Sequence, residues 1–239
     1  DLGDVPLPQA NNNEKCIEDI TNYYEKIANA NKPVVSVGGD HSITGGILQG
    51  LSKNNFSFTK GKKISFLHID AHTDTFNQLS HFLGAKKSAA HWGSYLVDDG
   101  IIDPNTSMQI GMRGNPRTLD WLKPSYDLGY NVVTMQEFQE RGMQDVINET
   151  LEKLGDNPIY ITFDLDSLDA SIAPAVSNIE PSFKGFTMEE AKSLIQSVKN
   201  KNVIGGDVVC LMPTKDSPNN ITAMVAASMM FEIISVIAY

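Results

Sequence analysis

Cysteine, tryptophan and positive charge are all scarce in this chain. Its 239 residues include two tryptophans and two cysteines, Cys16 and Cys210, which lie too far apart in the sequence for a zinc-binding pair. We therefore predict two free thiols and a cytoplasmic location, because the cytosol keeps thiols reduced. With 19 basic and 29 acidic residues the formal net charge is −10, which argues against a nucleic-acid or membrane partner and suits a cationic substrate. We also predict that no apolar run is long enough to cross a bilayer.

Short apolar, β-branched segments alternate with segments of helical spacing. The predicted strands are 34–37, 64–69, 108–112, 132–134, 159–163 and 203–209. The predicted helices are 17–27, 146–154, 187–198 and 221–237, of which the last is almost continuously apolar and is expected to be buried. Thr187 and Glu190 have the spacing of a capping box. This alternation predicts an α/β fold of three α/β/α layers with a mostly parallel sheet, and we expect one domain over residues 1–239.

Three of the predicted strands end directly in side chains that bind metal ions. The motifs that follow them are Gly38-Gly39-Asp40-His41-Ser42, Asp70-Ala71-His72-Thr73-Asp74 and Asp164-Leu165-Asp166. Ligands bind at the carboxyl ends of strands in such sheets, and alternating residues of an extended segment point the same way. The predicted ligands of two divalent cations are His41, Asp70, His72, Asp74, Asp164 and Asp166. Carboxylate oxygens favour Mg²⁺ or Mn²⁺, and imidazole extends the choice to Mn²⁺, Ni²⁺, Co²⁺ or Zn²⁺, although each motif taken singly could be a cap or a turn.

These motifs, with the third extended to Asp164-Leu165-Asp166-Ser167-Leu168-Asp169, resemble the signatures of the ureohydrolase family, which includes arginase and agmatinase. The resemblance runs from residue 1 to the last helix. It implies an arginase/deacetylase-like fold from which the N-terminal part is absent. By this resemblance Asp70 and Asp164 bridge the two ions. His41 and Asp74 bind one ion, and His72 and Asp166 bind the other. It further implies that water activated between the ions attacks a guanidinium carbon, with Asp74 orienting that water as a catalytic residue.

A further histidine is a candidate for proton transfer. His91, in Ala89-Ala90-His91-Trp92-Gly93, resembles the family's histidine at the rim of the active site. That resemblance implies transfer of a proton to the leaving amine, which the ordinary pKa of histidine suits. The alternative is a histidine packed beside Trp92. His68 lies inside a predicted strand and is expected to be structural, and His81 is compatible with either role.

The chain departs from arginases and agmatinases in the stretch Asp207-Val208-Val209-Cys210-Leu211-Met212-Pro213. By resemblance, Cys210 stands where the family has a glutamate that binds the substrate guanidinium. A thiol cannot form that bidentate charged pair. The candidate substrate-binding residues are therefore Cys210 itself and Glu180, which lies in the unusual loop 175–185. Asp216 is a further candidate carboxylate. The alternatives are a surface role for Glu180 and an inert, buried thiol for Cys210.

The resemblance as a whole implies hydrolysis of a small guanidino compound of the agmatine type to urea and an amine. Guanidine hydrolysis is the alternative within the same chemistry, because Met212-Pro213-Thr214-Lys215-Asp216 is similar to guanidine hydrolases. A non-catalytic subunit that partners an active homologue is the alternative from another class, and Cys210 is the feature that supports it. The family resemblance also implies a homo-oligomer, either a trimer or a hexamer.

Overall fold

Each of the six predicted strands forms in the structure, a computed structural model that describes residues 1–53, 56–76, 84–114, 118–181 and 184–239. Their boundaries differ from the predicted ones by one residue at most. In chain order they are β1 (Val34–Val37), β2 (Ser65–Ile69), β3 (Met108–Met112), β4 (Asn131–Thr134), β5 (Ile159–Asp164) and β6 (Val203–Val209).

All strand pairs in the sheet are parallel, and the spatial order is β1-β6-β5-β2-β3-β4. The predicted parallel sheet is therefore confirmed. Four adjacent strands, β1, β6, β5 and β2, end at the same edge. The predicted ligands and Cys210 lie at the ends of these strands or in the segments that follow them, so the topology alone brings these residues to one place.

Eight α-helices are described, and they cover both faces of the sheet. They are α1 (Asn13–Ala30), α2 (Ser42–Ser52), α3 (Trp92–Asp98), α4 (Lys123–Leu128), α5 (Met135–Arg141), α6 (Met143–Leu154), α7 (Met188–Ser197) and α8 (Ile221–Ala238). One apolar core joins β-strand residues such as Leu67 and Ile161 to α5–α8, and the other joins Phe66 and Tyr160 to α1–α3. Neighbouring strand residues thus pack on opposite faces, which gives the three predicted layers.

The four predicted helices are confirmed as α1, α6, α7 and α8, and α7 opens with the predicted capping box of Thr187 and Glu190. Helix α2 was not predicted, because glycine has low helix propensity. Its glycines allow close packing on α1. A Cβ on Gly46 would lie 2.9 Å from Ile20, and one on Gly50 would lie 2.6 Å from Tyr24. Tertiary packing therefore decides this helix, which places His41 at its start.

Helix α8 was expected to be buried, but it is buried on one face only. Met229 and Ile233 are buried against the sheet, whereas Met224 and Phe231 are 61% and 68% exposed. At 18 residues it is long and apolar enough to cross a membrane by length and composition, so the prediction that no run has that length was wrong. The same test is passed by core helices of proteins that never meet a membrane, and the buried face of α8 packs on β6.

Candidate metal centre

All six predicted ligands meet at the carboxyl edge of the sheet. The Nδ1 atom of His41 lies 3.0–3.2 Å from carboxylate oxygens of three aspartates, Asp70, Asp74 and Asp164. The Nδ1 atom of His72 lies 3.4 Å from Asp70 and 3.2 Å from Asp166. Asp70 therefore faces both imidazoles. The predicted convergence of the six side chains is what the structure shows.

The local cause of this convergence is turn geometry, and the predicted alternation along extended strands was wrong. Asp70 accepts the backbone N–H of His72 at 2.8 Å, and Asp164 accepts that of Asp166 at 2.8 Å. Each aspartate thus closes a tight turn on the residue two positions later. Asp74 adopts a left-handed backbone with φ of 52°, which is uncommon outside glycine and is often found at functional sites. Turns therefore aim these carboxylates inward.

The imidazole of His41 is held by buried polar groups on neighbouring strands. Its Nε2 lies 2.8 Å from the hydroxyl of Thr162, which donates to Asp207 at 2.6 Å. Asp207 also accepts hydrogen bonds from the hydroxyls of Thr44 and Tyr160. Because Thr162 gives its single hydroxyl proton to Asp207, its oxygen accepts the Nε2–H of His41. The Nδ1 atom of His41 therefore turns a lone pair towards the three aspartates.

Glu180 orients the second imidazole from a loop. The Nε2 atom of His72 lies 3.0 Å from Oε1 of Glu180. A carboxylate only accepts hydrogen bonds, so the ring proton lies on Nε2. The Nδ1 atom then presents its lone pair to Asp70 and Asp166. A carboxylate that fixes the tautomer of a ligating histidine is a common feature of metal sites.

His68 also carries its proton on Nε2, but its Nδ1 atom already accepts a hydrogen bond. Gln109 donates from its amide nitrogen to Nδ1 of His68 at 3.2 Å and to the carbonyl of Thr73 at 2.7 Å. The Nε2–H of His68 is thus left to donate to Asp70 at 2.7 Å. His68 orients Asp70 and has no lone pair for an ion, in keeping with its predicted structural role. His81 lies outside the described residues.

The buried cluster of histidine lone pairs and carboxylates is stable only when positive charge is added to it. Nδ1 of His41 and Oδ2 of Asp166 are buried and have no hydrogen-bond partner among the described residues. Burial alone lowers the pKa of the His41 and His72 imidazoles, but the surrounding carboxylates outweigh it and raise both pKa values well above 6.5. Burial and the charge of Asp164 raise the pKa of Asp166. Protons supply this positive charge when no metal is bound, and two divalent cations held by the same ligands would supply it instead.

Trp92 is a part of the site that the sequence did not identify. Its indole N–H donates to Oδ2 of Asp74 at 2.8 Å, and its ring centroid lies 4.9 Å from that of His41. The side chain is completely buried. Trp92 therefore fixes both the orientation of Asp74 and the wall beside His41. The one sequence signal was its position directly after His91.

His91 immediately precedes α3 and is 5% exposed. Its Nδ1 atom lies 2.7 Å from the hydroxyl of Ser88. The helix start that carries His91 is tied to the centre, because the N–H of Gly93 donates to the carbonyl of Asp74 at 2.9 Å. The structure therefore brings the chain segment of His91 to the ligand loop, and its role as a proton donor remains a prediction.

The three predicted substrate contacts occupy different places. Cys210 is buried, and its sulfur and the ligand atoms of His41 and Asp164 lie within 4.8 Å of one another. Burial, reinforced by the charge of Asp164, raises the pKa of the Cys210 thiol well above its usual value. Glu180 pairs with His72 as described. Asp216 accepts the backbone N–H groups of Thr222 and Ala223 at the start of α8, so it acts as a helix cap.

Comparisons with known proteins agree with the predicted resemblance. A family model described as "Arginase family" matches residues 1–235. The mitochondrial guanidino acid hydrolase of Homo sapiens is 35% identical over 98% of this chain and 63% of that protein, and the mitochondrial agmatinase of Gallus gallus is 33% identical over 99% and 66%. This chain therefore spans less than two thirds of the length of either relative. The structure of proclavaminate amidino hydrolase from Streptomyces clavuligerus matches with a TM-score of 0.87 at 28% identity, over 99% of this chain and 74% of that one. The chain belongs to the arginase family.

Proposed function

We propose that this protein hydrolyses a small guanidino compound at a centre of two divalent cations. The observation that carries the proposal is a pair of imidazoles, the buried His41 and the partly buried His72, whose lone pairs point at carboxylates. Acceptors that face acceptors in a buried site are stable only around positive charge. When bound, the cations lower the pKa of water and polarise the substrate. We favour Mn²⁺, with Ni²⁺ as the alternative, because the ligands are carboxylates and imidazoles.

The proposed ligand sets are those implied by the family resemblance, and the distances support them. His41 and Asp74 would hold one ion, and His72 and Asp166 would hold the other. Asp70 approaches both imidazoles, and we assign it as a bridge. Asp164 approaches His41 and lies next to Asp166 through their shared turn, and we assign it as the second bridge.

The chain's own residues then have separable tasks. Asp74, fixed by the indole N–H of Trp92, accepts a hydrogen bond from the attacking water and keeps its lone pair on the guanidinium carbon. His91, whose Nδ1 pairs with Ser88, delivers a proton from Nε2 to the leaving amine. The products are urea and an amine. Glu180 orients His72, which explains why the loop 175–185 carries a carboxylate.

We propose an agmatine-like substrate, and guanidine itself as the alternative. The formal net charge of −10 suits a cationic guanidinium substrate. Cys210 and Glu180, the two candidate substrate contacts, lie beside different histidines of the ligand cluster, His41 and His72 respectively. Neither position reproduces a free bidentate carboxylate. A longer substrate, held also at its tail, tolerates that loss better than guanidine does.

The test is urea release by the purified chain with Mn²⁺ or Ni²⁺ from agmatine, arginine, guanidinobutyrate and guanidine. Asp164→Asn should abolish urea release, since it removes one negative charge shared by both ions. Asp156→Asn is the matched control, because Asp156 is 97% exposed, and it should leave the rate unchanged. Turnover by Asp164→Asn within a few-fold of the wild-type rate would show that the two-ion mechanism is wrong.

A non-catalytic subunit is the second candidate, and the cysteine in place of the family's glutamate favours it. It predicts that the chain binds two ions and releases no urea from any of the four compounds. Activity that appears only after an active homologue is added would establish it. For either function we propose a cytoplasmic homo-oligomer, a trimer or a hexamer, which light scattering of the purified protein would test.

A further inference from the structure

Cys210 occupies a constrained position at the end of β6. Its backbone is left-handed, with φ of 69°, a conformation that costs free energy in a residue with a side chain and that clusters at functional sites. Its N–H donates to the carbonyl of Gly39 at 2.7 Å. Gly39 belongs to the turn that carries His41, so the end of β6 is fastened to the turn after β1. The position of the sulfur is therefore set by two adjacent strands.

The sulfur lies among metal-type ligands. Sγ of Cys210, a ring nitrogen of His41 and a carboxylate oxygen of Asp164 are all within 4.8 Å of one another. Bonds of about 2.0–2.3 Å from nitrogen and sulfur to one ion place such donors at separations of this order. A second observation points to the same place. Nδ1 of His41 is buried and lies 3.0–3.2 Å from three carboxylates, yet it forms no well-directed hydrogen bond with any of the described residues.

We propose that Cys210 is a thiolate ligand of the ion that His41 binds. The inference rests on the proposed two-ion centre and adds a sulfur donor to one of its two ions. A coordinating thiol is deprotonated by the ion itself. Thiolate favours softer ions such as Zn²⁺, Co²⁺ and Ni²⁺, whereas the ligands assigned to the other ion are carboxylates and an imidazole. The centre is therefore asymmetric, and the position at His41 has the stronger preference for softer ions, although both positions accept Mn²⁺.

Cobalt is the probe, because a bond between thiolate and Co²⁺ gives an intense charge-transfer absorption in the near ultraviolet. The metal-free protein is titrated with Co²⁺, and bound cobalt per chain is measured in the same samples. The variants are Cys210→Ser, Cys210→Ala and the matched control Cys16→Ser, which removes the other cysteine, far from the centre in sequence and only partly buried. Circular dichroism identifies variants that have kept the fold.

We expect the absorption in the wild type and in Cys16→Ser, and its loss in both Cys210 variants. Cys210→Ser should also lower the affinity for Co²⁺ at the His41 position by at least about 10–100-fold, the range known for weaker, indirect ligand contacts. The affinity for Mn²⁺ should fall less. Two bound cobalt ions without the absorption would overturn the thiolate ligand and leave the two-ion centre standing. Persistence of the absorption in Cys210→Ser would overturn it as well. A wild type that binds no cobalt would overturn both proposals.

Discussion

The two halves of the centre are built by different means. The inner half, which comprises His41, Thr162 and Asp207, is made from the ends and interiors of adjacent strands, and the His41 side chain is 2% exposed. The outer half comprises His72, Asp166 and Glu180, and here the histidine side chain is 24% exposed and is oriented from a loop. Both solve the same problem, which is to fix the proton on Nε2 and free Nδ1. The inner half is held by the sheet itself, whereas the outer half depends on a loop.

This contrast predicts unequal ion binding. A preorganised site loses little conformational entropy when an ion binds, whereas a site that must order a loop loses more. The inner ion should therefore bind first and exchange slowly. The predictions below would sharpen or break this comparison.

The largest effect is expected at a residue that belongs to neither half. His91→Asn should slow turnover by roughly 10²–10⁴, the range typical of a lost acid–base group. The number of ions bound should not change, because His91 is outside the proposed ligand set. Steady-state urea release measured together with metal content separates the two properties. Unchanged turnover would return His91 to a packing role beside Trp92.

In the inner half, Thr162→Val keeps the shape of the side chain and removes the acceptor for His41 and a donor to Asp207. We expect the first Mn²⁺ to bind about 10–100-fold more weakly, with little change for the second. Thr150→Val is the matched control, since Thr150 is also buried but hydrogen-bonds within α6. Equal effects of the two variants on Mn²⁺ affinity would show that the Thr162–Asp207 pair does not support the centre.

In the outer half, Glu180→Gln should weaken the second Mn²⁺ by about 10-fold, the low end of the range for such partners, because a glutamine oxygen still accepts from His72. Glu189→Gln, on the exposed side of α7, is the control. Competition titration with a chromogenic chelator resolves the two ions. A larger loss at the first ion than at the second would reverse the proposed assignment of the halves.

The smallest effect concerns the metal-free protein. The pKa values of His41 and His72 are raised in the folded state, so their contribution to stability is complete below the ordinary value of 6.5 and is lost as the pH rises through the raised pKa values. Chelated protein should therefore lose free energy of unfolding as the pH increases from 6.5, and the Mn²⁺-loaded protein should lose less. A chelated protein whose stability rises over that interval would contradict the charge distribution described here.

The sequence was most informative where local pattern and function coincide. Each proposed metal ligand lies in a short motif directly after a strand, and strand order then brings the motifs together. The sequence did not identify Thr162 and Asp207 as parts of the site, because both lie inside strands and not in a motif at a strand end. The hydrogen bond between Glu180 and His72 spans 108 residues of sequence, which no local pattern encodes. The reason given for the convergence of Asp70 and Asp74 was wrong, although the convergence itself was right, because turns replaced the expected extended backbone.

The most direct test of the two-ion centre is the number of Mn²⁺ ions bound per chain at saturation, measured by equilibrium dialysis and elemental analysis. The geometry predicts two ions for the wild type. It also predicts one for Asp166→Asn, which damages only the outer half, with the remaining ion bound at the inner half. A saturated wild-type protein that binds a single Mn²⁺, or none, would contradict the central claim.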